Sequence, residues 1–414
     1  MTIVFLTDEY PPFGIGGSGM IVAALARGLN FKGHKVSVIT TVQDERYAGQ
    51  SQAEGTAIYS VFTSYNESFR AYKSLYNGVA VSQVRQIFGE IKPDIVHAHN
   101  LHQYLSYACL KAAKSIGAKV FLTAHDAMLF HYGKLAEFID PKNPLNFGTD
   151  YHVSGWQLFK RYGLRYNPFR NLVIRRYLRY ADGIFAVSHA LAEALEQNSV
   201  QGATVAHNGI DPQDWVVSQE AVSACRSRFN LNGKKIILFG GRISGLKGGE
   251  QAVRALESIV RQVPNTVLLI VGKQNQYLEN IQKLARNLKV DENVIATGWL
   301  SGNELKAAYT ASDVIVVPSL YLDPFPTVVL EAMASKKPVV ATCFGGSSEI
   351  ILEGETGYIV NPYIVEELAV KIIDLLKNPA RAHAFGEAGF RRVQKDFNIN
   401  RTVDRYLQYY QNTA

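Results

Sequence analysis

Short apolar runs separated by longer helix-period segments repeat almost from end to end of this 414-residue chain, and no other feature limits its fold as much. In the first half the runs fall at 3–6, 36–40, 58–62, 95–99, 119–123, 183–187 and 203–206. In the second half they fall at 235–239, 266–271, 294–297, 313–317, 338–342 and 357–360. Most lack polar alternation, as strands covered on both faces do. Helical segments between them make the pattern β-α-β-α, which predicts parallel sheets. The series runs down and restarts: between Asp211 and Lys235 there is no strand signal, only an amphipathic stretch and the turn Asn232-Gly233. A single core stops growing near ~250–300 residues. The prediction is therefore α/β, with two doubly wound domains in tandem, 1–206 and 207–395. The last segment, 396–414, places Ile399, Val403, Leu407 and Tyr410 on one helix face and is expected to return to the first domain.

Ligands of open α/β sheets bind outside the carboxyl ends of the strands, at the topological switch point. Two such domains facing one another make a cleft, and residues that carry chemistry should sit just after strands. Composition narrows the setting. A chain that is 47% hydrophobic is not a disordered protein. Cys109, Cys225 and Cys343 are far apart and odd in number, which fits neither a disulfide framework nor a zinc knuckle and points to a reducing compartment. The N-terminal apolar run is short and followed by Asp8 and Glu9, unlike a secretory signal, and no run approaches the ~18 apolar residues of a membrane span. A cytoplasmic protein is expected. Its net charge of +7 is concentrated: between 151 and 181 there is no Asp or Glu, but Lys160, Arg161, Arg165, Arg170, Arg175, Arg176 and Arg179 all occur. Seven aromatics alternate with these cations between 156 and 180. That combination suits a local anionic partner such as a lipid headgroup surface or a lipid diphosphate, and not nucleic-acid coating. An Arg-rich helix whose stems pack on the sheet is the alternative.

Four motifs could carry chemistry. Gly14-Ile15-Gly16-Gly17-Ser18-Gly19 opens a helix and fits an anion-binding loop. Read as a dinucleotide fingerprint, it stands too far from its strand, because 7–13 intervene. An unliganded turn is the alternative. Gly240-Gly241-Arg242-Ile243-Ser244-Gly245-Leu246-Lys247-Gly248-Gly249 puts two cations five residues apart on a strand–helix turn, which suits a diphosphate. Asp323 precedes a helix whose first turns carry Glu331 inside an apolar run, either a structural carboxylate or one that grips ligand hydroxyls. Finally, His97, His99, His102, His125 and His131 cluster in the sequence. Their spacing matches no tight zinc pattern, and His125, at a strand's carboxyl end, suits a donor to substrate better than a metal ligand.

Taken in order, these motifs resemble a GT-B-fold nucleotide-sugar glycosyltransferase of the retaining family 4 type, in which two Rossmann-like domains face across a cleft. The resemblance covers essentially the whole chain. It rests on Gly16-Gly17-Ser18-Gly19, Thr123-Ala124-His125-Asp126, Ser188, Asn208-Gly209-Ile210-Asp211, Gly241-Arg242 with Lys247-Gly248, Pro318-Ser319, and the Asp323 to Glu331-Ala332-Met333-Ala334 element before Pro338-Val339-Val340. It implies that Gly16 and Gly17 offer backbone N–H groups to the donor's distal phosphate. Arg242 and Lys247 would neutralise the diphosphate, Glu331 would hold the ribose, and His125 and Asp323 would contact the transferred sugar. Gly272, Lys273, Phe325 and Thr327 would complete the donor site, with Lys160, Arg161, Arg165 and Arg170 forming an acceptor or membrane surface. It further implies a UDP- or GDP-linked donor, no metal and no cofactor, and a glycan or lipid-linked acceptor. The setting would be envelope biosynthesis, peripheral at the inner face of the membrane. Three departures stand out: Asp323 where the family usually has Glu, Pro326 in place of a glycine, and Gly272-Lys273-Gln274 without a second glycine.

The rival class is a redox or non-catalytic nucleotide binder on the same fold. It would hold a ribose with Asp44 or Glu45 after the second strand, whereas sugar transfer uses Glu331 in the other half.

Overall fold

The computed structural model describes residues 1–14, 16–140, 142–143 and 148–412. The chain divides into two compact units. Met1–Glu137, Thr149–Gly209 and Ile399–Ala414 form the first; Phe138–Gly148 and Ile210–Asn398 form the second. The first unit thus runs to Gly209 where 206 was expected, and the described residues 138–140, 142–143 and 148, read from sequence as part of the first domain, belong to the second. There Phe138 packs edge-on against Phe344, with ring centroids 6.0 Å apart. One aromatic anchor has no periodicity to announce it in sequence.

Among the described residues the first unit holds eight strands: β1 (Thr2–Thr7), β2 (Lys35–Val42), β3 (Gly49–Ala53), β4 (Thr56–Phe62), β5 (Ile95–His99), β6 (Lys119–Ala124), β7 (Gly183–Ala186) and β8 (Ala203–Val205). Their spatial order is β3-β4-β2-β1-β5-β6-β7-β8. All pairs are parallel except β3 with β4. β3 escaped the sequence reading because Gly-Gln-Ser-Gln-Ala is polar and exposed throughout; it is held only as an antiparallel edge. The other seven strands match the apolar runs. The order reverses between β1 and β5, so their carboxyl ends, at Thr7 and His99, flank the switch point.

The second unit holds β9 (Lys235–Gly240), β10 (Thr266–Val271), β11 (Val294–Gly298), β12 (Val314–Val317), β13 (Val339–Thr342) and β14 (Gly357–Val360), in the order β11-β10-β9-β12-β13-β14 and all parallel. Its switch point lies between β9 and β12. Ile237, Phe239, Leu268 and Ile270 of the sheet pack with Val253, Leu256 and Ile259 of the helix Gly249–Gln262 in a core that excludes water. Burial of such side chains, each contributing about 1.5–3 kcal/mol, holds the strand ends in register and fixes where the loops after them begin.

The C-terminal helix Ile399–Asn412 belongs to the first unit. Its buried face is Ile399, Val403, Tyr406 and Tyr410, so Tyr406 takes the place expected of Leu407, which is only partly buried. The tyrosines reach polar partners inside: Tyr410 Oη lies 2.5 Å from His97 Nδ1, and Tyr406 Oη 3.0 Å from Thr123 Oγ1. Among the described residues no helix is long and apolar enough to cross a membrane.

Candidate active site

After β9 the chain turns through Gly241, at φ +113°, to Arg242, which is exposed. A short turn, Gly245–Lys247, then brings Lys247 back toward the loop that follows β12. Gly248 makes this approach possible: its φ is +81°, and a Cβ there would lie 1.9 Å from the Pro318 carbonyl oxygen. The two loops are tied by Leu320 N–H donating to Leu246 O at 2.8 Å. Lys247 Nζ consequently meets Asp323 Oδ2 at 2.7 Å, and the Ser319 hydroxyl donates to the same oxygen at 2.7 Å.

Asp323 is only 4% exposed. Its backbone is pinned to the loop after β13, donating to Phe344 O at 3.1 Å and accepting from Gly346 N–H at 2.9 Å. Gly345, at φ +104°, leaves room that a side chain would close. Burial opposes the charge on Lys247, but the Asp323 carboxylate, followed by Tyr321, outweighs it, and the ammonium is held above the usual lysine range. The ammonium sits 5.2 Å from the Tyr321 ring centroid. Of its three N–H groups Asp323 takes one and the Tyr321 hydroxyl another, which leaves one for a ligand oxygen by valence.

Glu331 lies half-buried on the helix Thr327–Ala334 and accepts from Tyr309 Oη at 2.7 Å. Burial raises its pKa, while the hydroxyls of Tyr309 and Thr327 and the Lys247 charge draw it back. Tyr309 is itself buried, with its ring edge-on to Trp215 at 5.2 Å. Phe325 is buried against Phe397. Gly272 and Lys273 follow β10 on the same carboxyl edge, with Lys273 exposed and its Nζ 5.6 Å from the Trp299 ring centroid. The second unit therefore brings Lys247, Asp323, Glu331 and Thr327 together, and sets Arg242 and Lys273 at exposed positions on that edge.

In the first unit, Gly16 is the N-cap of the helix Gly17–Phe31, whose first turn holds no acidic residue. Ser18 Oγ accepts from Asn100 Nδ2 at 3.0 Å. Ile15 of this motif lies outside the described residues. Asp8, directly after β1, accepts backbone N–H bonds from Gln103, Tyr104 and Leu105 at 2.7, 2.8 and 2.6 Å and so holds the loop after β5. Burial pushes its pKa up to about 7, against those three donors. The histidines separate by role. His97 lies between Tyr410 and Thr123, and His131 accepts from Gly133 N–H and meets Glu137. His99 Nδ1 meets His125 Nε2 at 2.8 Å. Burial lowers His125 to about 4, leaving it a neutral imidazole near pH 7.

The basic segment needs one correction. Lys160, Arg161 and Arg165 are exposed, and Arg161 pairs with Glu137. Arg170, assigned from sequence to the same surface, is 0% exposed. Its guanidinium donates to the carbonyls of Met128 and His131, and Asn171 Nδ2 to that of Phe130. It is a strut for the loop after β6, because five fixed N–H donors can satisfy carbonyls that would otherwise be buried without partners.

Sequence reasoning missed Asp8 and Tyr309, although Asp8 was visible as a carboxylate at a strand's carboxyl end, and it named Ser319 in the Pro318-Ser319 motif without giving it a role. Tyr309 gave no signal apart from tertiary placement. The rival's ribose acid, Asp44, caps the turn Glu45–Tyr47 and is taken up by Arg46.

Residues 15–214 match the family described as Glycosyltransferase Family 4, and residues 225–392 match Glycosyl transferases group 1. The chain is a GT-B glycosyltransferase of the family 4 type. The rival reading as a redox or non-catalytic binder is accordingly not favoured. This glycosyltransferase is 31% identical over 249 residues to the GDP-mannose-dependent alpha-(1-6)-phosphatidylinositol monomannoside mannosyltransferase of Mycolicibacterium smegmatis. That match covers 58% of this chain and 63% of the relative, less than two thirds of its length. Sucrose-phosphate synthase from Thermosynechococcus elongatus is similar in structure, with a TM-score of 0.78 at 22% identity over 100% of this chain and 98% of that one. Anabaena HepE, solved in complex with UDP, gives 0.72 at 18% identity over 100% of both chains. At such identities the likeness establishes the fold of the glycosyltransferase and nothing finer.

Proposed function

We propose that this glycosyltransferase moves a hexose-type sugar from a UDP- or GDP-linked donor to a hydroxyl of a glycan or lipid-linked acceptor, with retention and without a divalent metal or other cofactor. The observation that carries the reading is Lys247, fixed by Asp323 and Ser319 at the switch point of the second sheet, with Glu331 on the next helix. The bond from the anomeric carbon to the distal phosphate oxygen breaks. A bond from that carbon to the acceptor oxygen forms on the same face, and the acceptor's proton passes to the departing phosphate oxygen. Lys247 and Arg242 meet the charge that grows on the diphosphate, where a preorganised cation lowers the barrier most. Gly16 and Gly17 offer N–H groups to the distal phosphate, Glu331 holds the ribose hydroxyls, and His125 donates to the sugar. Gly272, Lys273, Phe325 and Thr327 line the nucleotide.

The acceptor side of the reading, with a place in cell-envelope polysaccharide or glycolipid synthesis at the inner face of the membrane, is supported by exposed apolar groups beside the cations. Trp156 is 72% and Leu164 91% exposed, with Phe159 stacked on Trp156. Lys160 and Arg161 line an open cavity of about 480 Å³ with Ala136, Glu137 and Gln157. An acyl-anchored anionic headgroup matches that mixture of aromatic and basic side chains. Mass spectrometry of the protein incubated with a panel of UDP- and GDP-hexoses, with and without EDTA, tests the donor side. Slow release of UDP or GDP from one donor, unchanged by EDTA, is expected, and no turnover of any of them contradicts the reading. Retention on anionic vesicles at low salt tests the membrane side, and failure to bind them removes it.

A further inference from the structure

His99 is 0% exposed, and the proposed chemistry leaves it without a task. It lies on β5 within a group of rings: Phe5 at 5.4 Å, His97 at 4.3 Å and His125 at 5.1 Å between centroids. Its Nδ1 meets His125 Nε2, and its own Nε2 is buried without a hydrogen-bond partner. Two imidazoles joined by one N···N contact share one proton there, so the tautomer of one dictates that of the other. If His125 Nε2–H were the donor, His99 would carry its proton on Nε2, and a buried N–H would point at nothing. If His99 Nδ1–H is the donor, only a bare lone pair is left over. Orphaned buried N–H groups are the rarer outcome in folded proteins.

We infer that His99 is a positioning residue which donates through Nδ1–H to His125 Nε2 and thereby fixes His125 as an Nδ1–H tautomer, a neutral hydrogen-bond donor toward the sugar. Its functional half rests on the proposed contact between His125 and the donor sugar; its structural half does not. Burial keeps both rings uncharged, so the arrangement persists through neutral pH. His125 is only partly buried, and its Nδ1 makes no hydrogen bond among the described residues, so that edge is the one a ligand can reach.

Long-range nitrogen NMR on ligand-free protein labelled at histidine reads the tautomers directly, since a bare ring nitrogen and a protonated one resonate far apart. The expected spectrum shows His125 protonated at Nδ1 and bare at Nε2, with His99 the same. His99→Asn places an amide N–H where Nδ1 stood and should preserve the His125 pattern. His99→Leu removes the donor and should shift His125 toward the Nε2–H form. Turnover is then measured with whichever nucleotide hexose the wild type hydrolyses. His99→Leu is expected to lower kcat between about 10- and 100-fold with little change in KM, while His99→Asn recovers most of that loss. The melting temperature of His99→Leu should not fall, because the change removes an unpartnered buried nitrogen. A wild-type His125 protonated at Nε2, or wild-type kcat in His99→Leu, overturns the inference. A correct tautomer together with unimpaired turnover in His125→Ala would instead sink the sugar contact and leave the His99–His125 arrangement standing.

Discussion

Replacing Lys247 with methionine leaves Asp323 behind as a carboxylate whose side chain is 6% exposed, in a pair whose ammonium side is 20% exposed. Breaking a buried pair from one side costs about 3–5 kcal/mol. The exposure of Lys247 and the hydroxyl of Ser319 on Oδ2 put this case near the lower end, about 3 kcal/mol. A domain of this size loses about 2–4 °C per kcal/mol, so calorimetry should show the transition of the second unit falling by about 6–12 °C. Asp323→Asn alone should cost about 2 kcal/mol, because the stranded lysine reaches water more easily. The double variant Lys247→Met with Asp323→Asn carries no uncompensated charge, and its amide still accepts from Ser319. It should melt within a few degrees of the wild type, a coupling of at least about 2 kcal/mol between the two sites. It should also remain inactive, which separates the role of Lys247 in meeting diphosphate charge from its part in stability. Single variants that melt like the wild type would show that the pair does not form in solution. A double variant losing the sum of the two singles would show that the residues do not act together.

Glu331→Gln keeps the acceptor for Tyr309 but removes the charge, and should weaken nucleotide binding about 10-fold with little change in melting temperature; unchanged affinity removes Glu331 from the ribose. Asp8, pushed up to about 7, takes up a proton on folding and makes stability fall as pH rises from about 4 to 7, whereas His97, pushed down to about 3 by burial, makes stability rise between about 3 and 6.5. Asp8→Asn removes the first effect, so urea titrations should show its stability climbing with pH between 4 and 6.5 more steeply than the wild type, by up to about 1.4 kcal/mol per pH unit; parallel profiles contradict the protonated Asp8. Arg170→Met should cost about 3 kcal/mol through the two buried carbonyls, of Met128 and His131, left without their donor, against under about 0.5 for Arg165→Met on the surface, and equal melting temperatures would refute the strut.

The strands were legible because a buried parallel strand is written largely as an apolar run, and among the described residues thirteen of the fourteen coincide with such a run, even though β8 and β11 are only partly buried. β3 does not, being polar and held only at an edge. The glycine-rich turns after β1 and β9 were legible for a related reason: Gly248 occupies a place that no side chain can share with Pro318. The pairing of Lys247 with Asp323 was not, because 76 residues separate them and only the adjacency of β9 and β12 brings them together. Arg170 shows the opposite error. Charge density along the chain placed it on a surface, but helix periodicity turns it inward beside Ile174 and Leu178, among carbonyls that need donors. The Tyr406 and Tyr410 hydroxyls follow the same logic, since their partners on β5 and β6 lie nearly three hundred residues earlier or more.

Isothermal calorimetry with UDP, GDP, ADP and NAD, run on the wild type, on Glu331→Gln and on the Lys247→Met, Asp323→Asn pair, addresses the donor site most directly. UDP or GDP should bind the wild type, lose affinity in both variants and outcompete NAD. Tight NAD binding indifferent to Glu331, or UDP and GDP affinities untouched by loss of the Lys247 charge, would contradict the account.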